Sequence, residues 1–116
     1  MFGDGSQIRD FVYVDDAVQA FLLAGAMDAV NGEAFNVGGD EHISHRDLVE
    51  LLVGAAGSGR YRFVEWPAEK KAIDIGSFYA DSTLFKARTG WQPTTALADG
   101  LRRTLDYYRP RMAHYV

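Results

Sequence analysis

Arg9 stands in an extended run, Gln7 to Val14, with Phe11 two places on and Tyr13 four places on. Alternation along a strand would put the three side chains on one face, a guanidinium fork beside aromatic surface. Such a fork suits a phosphate, which it can grip through two parallel N–H groups; the competing reading is an edge arginine paired to a surface carboxylate. Lys70 and Lys71 precede Asp74 by a few residues and offer either a second cationic contact or a solvated charged loop.

Other chemistries fall away on spacing. Gly54-Ala55-Ala56-Gly57-Ser58-Gly59 closes a helical pattern, whose carboxyl end repels phosphate, whereas a dinucleotide loop must open a helix. Gly3-Asp4-Gly5 reads as a turn before the first strand. The three histidines, at 42, 45 and 114, have no i, i+4 partner and no cysteine to complete a zinc site. No Gly-x-Ser-x-Gly elbow occurs, and the serines read as turn and cap residues. The adjacent acids Asp15-Asp16 and Asp40-Glu41 point their side chains in different directions, and the first pair reads as a helix start.

The elements that must carry these residues follow from periodicity. The run from Gln7 to Val14 predicts a strand, and Val18, Phe21 and Leu22 predict a helix from about Ala17 to Met27 behind the acidic pair. Ala34 to Val37, closed by Gly38-Gly39, predicts a second strand. Ser44 and Asp47 form a capping signal for a helix stopped by Gly54 to Gly59. Tyr61 to Trp66 predicts a third strand, residues 68–80 an ordered loop with a short extended piece, and Asp81-Ser82 a helix start ended by Gly90. A last helix carries Leu97, Leu101, Leu105 and Tyr108 on one stripe. Strands alternating with helices imply a mixed α/β fold.

Composition bounds the rest. The 116 residues are 47% hydrophobic, enough for one domain or one piece of a larger one, with an expected radius of gyration of about 13 Å. A formal charge of −4 provides no positive field for a nucleic acid. Residues 1–58 hold 2 Arg against 10 acids, and residues 59–116 hold 10 Lys and Arg against 6 acids, so front and rear could attract each other or the rear could face an anion. The absence of cysteine removes disulfides and thiolate chemistry. With no membrane-length apolar run and no secretory-type start, the expectation is a cytoplasmic protein.

Taken in order, Gly3 to Asp16, Phe35-Asn36-Val37-Gly38-Gly39, Ser44 with Leu48, Lys71 to Gly76, Gly90-Trp91-Gln92-Pro93 and Gly100-Leu101 resemble the C-terminal part of the extended short-chain dehydrogenase/reductases, the NAD-dependent nucleotide-sugar epimerases and dehydratases. The resemblance spans nearly the whole chain. It implies a single lobe over residues 1–116, a small mixed α/β substrate-binding unit without the N-terminal Rossmann domain. It implies that Arg9 binds the diphosphate of a nucleotide sugar, with Phe11 near the nucleotide and Glu41 near the base. Asp74 maps onto an acid that accepts a ribose hydroxyl, and Lys71 stands where the family more often has arginine, keeping the charge but not the planar fork.

The family's catalytic features lie elsewhere in its members. The Gly-x-x-Gly-x-x-Gly loop for NAD is not in these residues, and no tyrosine has lysine four places later. The expectation is therefore a binding lobe that is catalytically silent alone, with NAD needed only in the full-length family. Two other readings stay open: a non-catalytic interaction or scaffold remnant, and one half of a split enzyme whose Rossmann half is another polypeptide. A homodimer through surface left uncovered is also expected.

Overall fold

The computed structural model describes residues 1–115. It is mixed α/β, as expected, but with less strand than the sequence suggests. Strand β1 (Ile8–Asp10) leads to helix α1 (Val14–Ala26) and a 3-10 turn at Asp28–Val30. Strand β2 (His42–Ser44) runs directly into α2 (His45–Ala56). The single turn α3 (Ala68–Lys71), α4 (Thr83–Thr89), α5 (Leu97–Tyr108) and a 3-10 segment at Arg109–His114 complete the chain.

β1 and β2 form one antiparallel pair, with Ile8 opposite Ser44, Arg9 opposite Ile43 and Asp10 opposite His42. The first strand stops at Asp10, three residues into the extended run, because the chain turns into α1 at Tyr13. That corrects the shared-face reading: Phe11 and Tyr13 leave the strand, and the Tyr13 ring packs against Gly100 and under the Arg103 guanidinium, 5.6 Å from its carbon. The third expected strand, Tyr61 to Trp66, is only an isolated bridge from Val64 to Phe2. Residues 68–80 do form a loop, with α3 as one helical turn within it.

Ala34 to Val37 do not join a sheet. Phe35 and Val37 turn inward and Ala34 and Asn36 outward, the two-residue period of a strand, yet no described residue offers their main chain a hydrogen bond. α2 starts as expected: the Asp47 amide donates to Ser44 Oγ at 3.1 Å. Helix α1 does not, since neither Asp15 nor Asp16 caps it and Tyr13 occupies the cap position without a side-chain bond.

The core is small. Ala20, Phe85 and Trp91 are buried together, with Val12, Leu23, Ala24, Phe35 and Val37 packed against them. The Phe85 ring lies 5.4 Å from Phe35 and 5.8 Å from Trp91. The radius of gyration is 16.9 Å, above the roughly 13 Å of a compact globule. The accessible surface is 8127 Å², where a compact monomer of this mass exposes about 6,300 Å². The chain is elongated, 47 × 38 × 23 Å, and much of its surface is apolar: Val14, Val18, Phe21 and Leu22 of α1 are all exposed, Phe21 at 78%.

Candidate functional site

The loop after α3 is zipped to β1. Phe78 N–H donates to the Ile8 carbonyl at 3.0 Å, and Ile8 N–H donates to Ser77 Oγ at 3.0 Å. Gln7 Nε2 donates to Asp74 Oδ2 at 2.6 Å, and the Gly76 amide donates to the same oxygen at 3.2 Å. Residues more than sixty positions apart thus share one surface.

Arg9 is held in this seam. Its Nη1 donates to the Ile8 carbonyl at 2.8 Å and to the Gly76 carbonyl at 2.5 Å. Among the described residues no carboxylate pairs with it, and Nε and Nη2 have no partner. A guanidinium has five N–H donors, so pinning one nitrogen leaves an ordered fork of three. Half-buried, immobilised and without a counter-ion, that fork is suited to an oxyanion. Lys71 closes α3 on the same loop; its ammonium makes no ion pair among the described residues, while Lys70 sits over the Phe2 ring at 4.8 Å.

Phe11 and Glu41 belong to a second location. They line a 250 Å³ pocket with Gly39, Pro93, Thr94 and Thr95, which neither Arg9, Lys71 nor Asp74 lines. Glu41 is also a helix cap: its Oε1 accepts the Leu97 amide at 2.6 Å, satisfying a free donor at the start of α5 where Ala96 has no side chain to do so. Gly39 passes so close to β1's exit that a Cβ there would lie 2.1 Å from the Phe11 carbonyl oxygen. The five residues singled out from sequence therefore form two groups, Arg9 with Asp74 and Phe11 with Glu41, with Lys71 on the loop of the first.

Two side chains do much of the positioning: Asp16, which the sequence analysis read as part of a helix start, and Asp10, which it gave no role of its own. Asp16 is 3% exposed, and its carboxylate accepts Thr94 N–H at 3.1 Å, Thr94 Oγ1–H at 2.8 Å and Thr95 N–H at 3.0 Å. Burial alone would raise its pKa, but those bonds from Thr94 and Thr95 together hold it below the ordinary carboxylate value. Trp91 Nε1 donates to the Asp16 carbonyl at 3.0 Å, so the 91–95 segment is latched to α1. Asp10 Oδ2 accepts the Ala80 amide at 3.2 Å, tying β1 to the same rear segment. Nothing in local spacing marks either acid, since the partners lie seventy or more residues away.

The Gly54 to Gly59 stretch is not arranged to cradle a pyrophosphate. Gly57 ends α2 in the left-handed conformation, φ 68°, with its amide donating to Val53 and Gly54 carbonyls. The glycine-rich stretch is thus a helix stop, as its spacing suggested. Among the described residues no three or more His, Asp or Glu side chains gather as a metal site, and no helix is long and apolar enough to cross a membrane.

Comparisons with known proteins bear on the family and the fold. The family model described as the NAD dependent epimerase/dehydratase family matches residues 1–38. The chain is 38% identical over 109 residues to a UDP-glucose 4-epimerase of Mycolicibacterium smegmatis, covering 94% of this chain and 34% of that protein. It is 33% identical over 108 residues to a dTDP-glucose 4,6-dehydratase of Streptomyces griseus, covering 93% and 32%. Among solved structures, a UDP-glucose 4-epimerase of Thermotoga maritima with UDP-glucose superimposes with a TM-score of 0.83 at 37% identity, over 97% of this chain and 35% of that one. A UDP-glucuronic acid 4-epimerase of Bacillus cereus in complex with NAD gives 0.78 at 29% identity, over 95% and 34%. The chain spans about a third of the length of the relatives it matches.

Proposed function

We propose, for a chain that belongs to the NAD dependent epimerase/dehydratase family and matches the C-terminal portion of its relatives, that residues 1–116 form a lobe that binds a nucleoside-diphosphate sugar. In this reading Arg9 takes a phosphate oxygen pair through its free Nε and Nη2 edge, and Lys71 adds a point charge from the facing loop. Asp74 shapes that loop through Gln7 and Gly76 and keeps Oδ1 for a ribose hydroxyl, and Phe11 and Glu41 line the neighbouring pocket for the nucleoside end. Hydride and proton transfer belong to the parts of the family fold outside these residues, where NAD would also be held.

The observation that carries the reading is the Arg9 guanidinium itself, fixed by two main-chain carbonyls and left without a carboxylate. An arginine serving as a surface ion pair would have a carboxylate within reach, and among the described residues Arg9 has none.

Titrating UDP-glucose and dTDP-glucose against the wild type and Arg9→Ala tests it. Loss of a charge-assisted contact of about 1.5–3 kcal/mol corresponds to roughly 10- to 150-fold weaker binding. Wild-type protein with ligand at 100 times its dissociation constant should gain about 2.7 kcal/mol of stability. Equal affinity of the two proteins would refute the site, and no nucleotide effect on melting would favour the scaffold reading.

A further inference from the structure

β1 is bonded along both edges. β2 lies on one, where the His45 amide donates to the Gln7 carbonyl at 2.9 Å. Residues 76–80 run along the other as a strap: Ile8 N–H donates to Ser77 Oγ and Phe78 N–H donates to the Ile8 carbonyl, each at 3.0 Å, and the Ala80 amide donates to Asp10 Oδ2 at 3.2 Å.

The strap carries much of what an anion site needs. Its Gly76 carbonyl pins Arg9 Nη1, and Lys71 and Asp74 stand just ahead of it in the chain. Yet packing anchors it poorly. No residue from 71 to 79 is buried, and Ile73, Ile75, Phe78 and Tyr79 are each more than half exposed. A segment held by a few hydrogen bonds and little burial opens locally at small cost. A ligand that needs it closed binds only in proportion to the closed fraction.

His42 supplies a hold from across the strand pair. It stands opposite Asp10 in the register, so both side chains leave the same face of the pair. They meet the strap at successive residues: Asp10 accepts the Ala80 amide, and the His42 ring stacks on Tyr79 with centroids 4.1 Å apart and planes 25° apart. That stack is the one ring-on-ring contact the strap makes among the described residues.

We infer that His42 is a positioning residue for the anion site: acting through Tyr79, its ring clamps the strap onto β1 and so keeps the Gly76 carbonyl, Asp74 and the Arg9 fork in register for a ligand. The inference rests on the nucleotide-sugar reading of that site. It uses the flat face of the imidazole, so another aromatic ring at position 42 should serve as well.

Amide exchange of the whole chain without ligand tests the clamp, and titration with UDP-glucose and dTDP-glucose tests its use. Loss of a stacked ring pair corresponds to a factor of about 2 to 12 in an equilibrium constant. In His42→Ala the Phe78 and Ala80 amides should exchange faster by about that factor, and nucleotide-sugar binding should weaken by up to the same factor. Tyr79→Ala removes the same contact from the strap side and should do likewise, which also covers the case where His42→Ala does not fold. The double variant should be no worse than the weaker single one, since one contact is lost in all three. His42→Phe should restore both readouts.

Unchanged exchange at Phe78 and Ala80 in both alanine variants overturns the inference. So does faster exchange with unchanged affinity, which is the result of a merely structural role, and so does weakened binding that His42→Phe fails to restore, which would place the imidazole nitrogens on the ligand itself. Wild-type protein that responds to neither nucleotide sugar refutes the binding reading instead, and the exchange comparison then still decides whether His42 holds the strap.

Discussion

The latch at Asp16 is the place where one atom's change should be felt most. Replacing Asp16 with Asn keeps Oδ1, and with it both bonds from Thr94, but sets an NH2 group against the Thr95 amide, which donates to Oδ2 at 3.0 Å. One charge-assisted bond is lost and a part-buried donor is stranded, costing about 1.5–3 kcal/mol. Asp16→Ala removes all three bonds and should cost about 3–5 kcal/mol. A chain this long has roughly 6–17 kcal/mol in total, and a core of so few buried side chains argues for the lower end. With a urea m-value of about 1.5 kcal/mol per M, Asp16→Asn should lower the unfolding midpoint by about 1–2 M.

The effect has a pH signature. Because the folded carboxyl is held below its unfolded value near 3.9, its contribution is fully present above that value and is lost as pH falls through the folded pKa. The gap between wild type and Asp16→Asn should therefore be full at neutral pH and shrink as pH falls below the ordinary carboxylate value. Asp4 and Asp81, also lowered, by bonds from Ser6 and Thr83 respectively, act equally in both proteins and cancel in the difference. An Asp16→Asn midpoint equal to wild type at neutral pH, or a gap that widens in acid, would refute the latch.

Two further substitutions probe the pocket shared by Phe11 and Glu41. Glu41→Ala leaves the first amide of α5 without its side-chain partner and should cost about 1 kcal/mol, read as a lower melting temperature. Gly39→Ala forces a Cβ into the Phe11 carbonyl and should destabilise by about 1–3 kcal/mol or more, with Phe11 displaced, as seen by chemical denaturation and by loss of any nucleotide-induced rise in melting temperature.

Helix positions were legible because their signals are local. Ser44 with Asp47, the left-handed Gly57 and Gly90, and the Leu97 stripe act within one or two turns, and α2, α4 and α5 lie where those signals put them. Strands were not, because a strand exists only when a neighbour pairs with it. Ala34 to Val37 has the composition and the alternation of a strand but no partner, and Tyr61 to Trp66 gains only one bridge. Asp16 misled for a related reason. An acid ahead of an apolar helical stripe reads as a cap, and only the return of Thr94 and Thr95 from the far end of the chain turns it into a tertiary anchor. Arg9 and Asp74 were identifiable as residues, but not the Gln7, Ser77 and Gly76 contacts that join their segments.

The uneven charge of the chain finds an explanation in the same contacts. Rear cations reach back to front acids: Lys86 pairs with Asp40 and Arg88 with Glu33, both on the surface, where such pairs contribute little to stability but fix orientation. The front half has only two arginines of its own. Arg46 donates from Nε and Nη2 to the Asp4 carbonyl and lies 5.1 Å from the Phe63 ring, so its donors and its flat face are both used at home. Arg9 is different, for the Ile8 and Gly76 carbonyls hold one nitrogen, and Nε and Nη2 have no partner among the described residues. Maintaining a half-buried cation in that state loses the solvation of bulk water without recovering it from a carboxylate, and an oxyanion brought by a ligand recovers it.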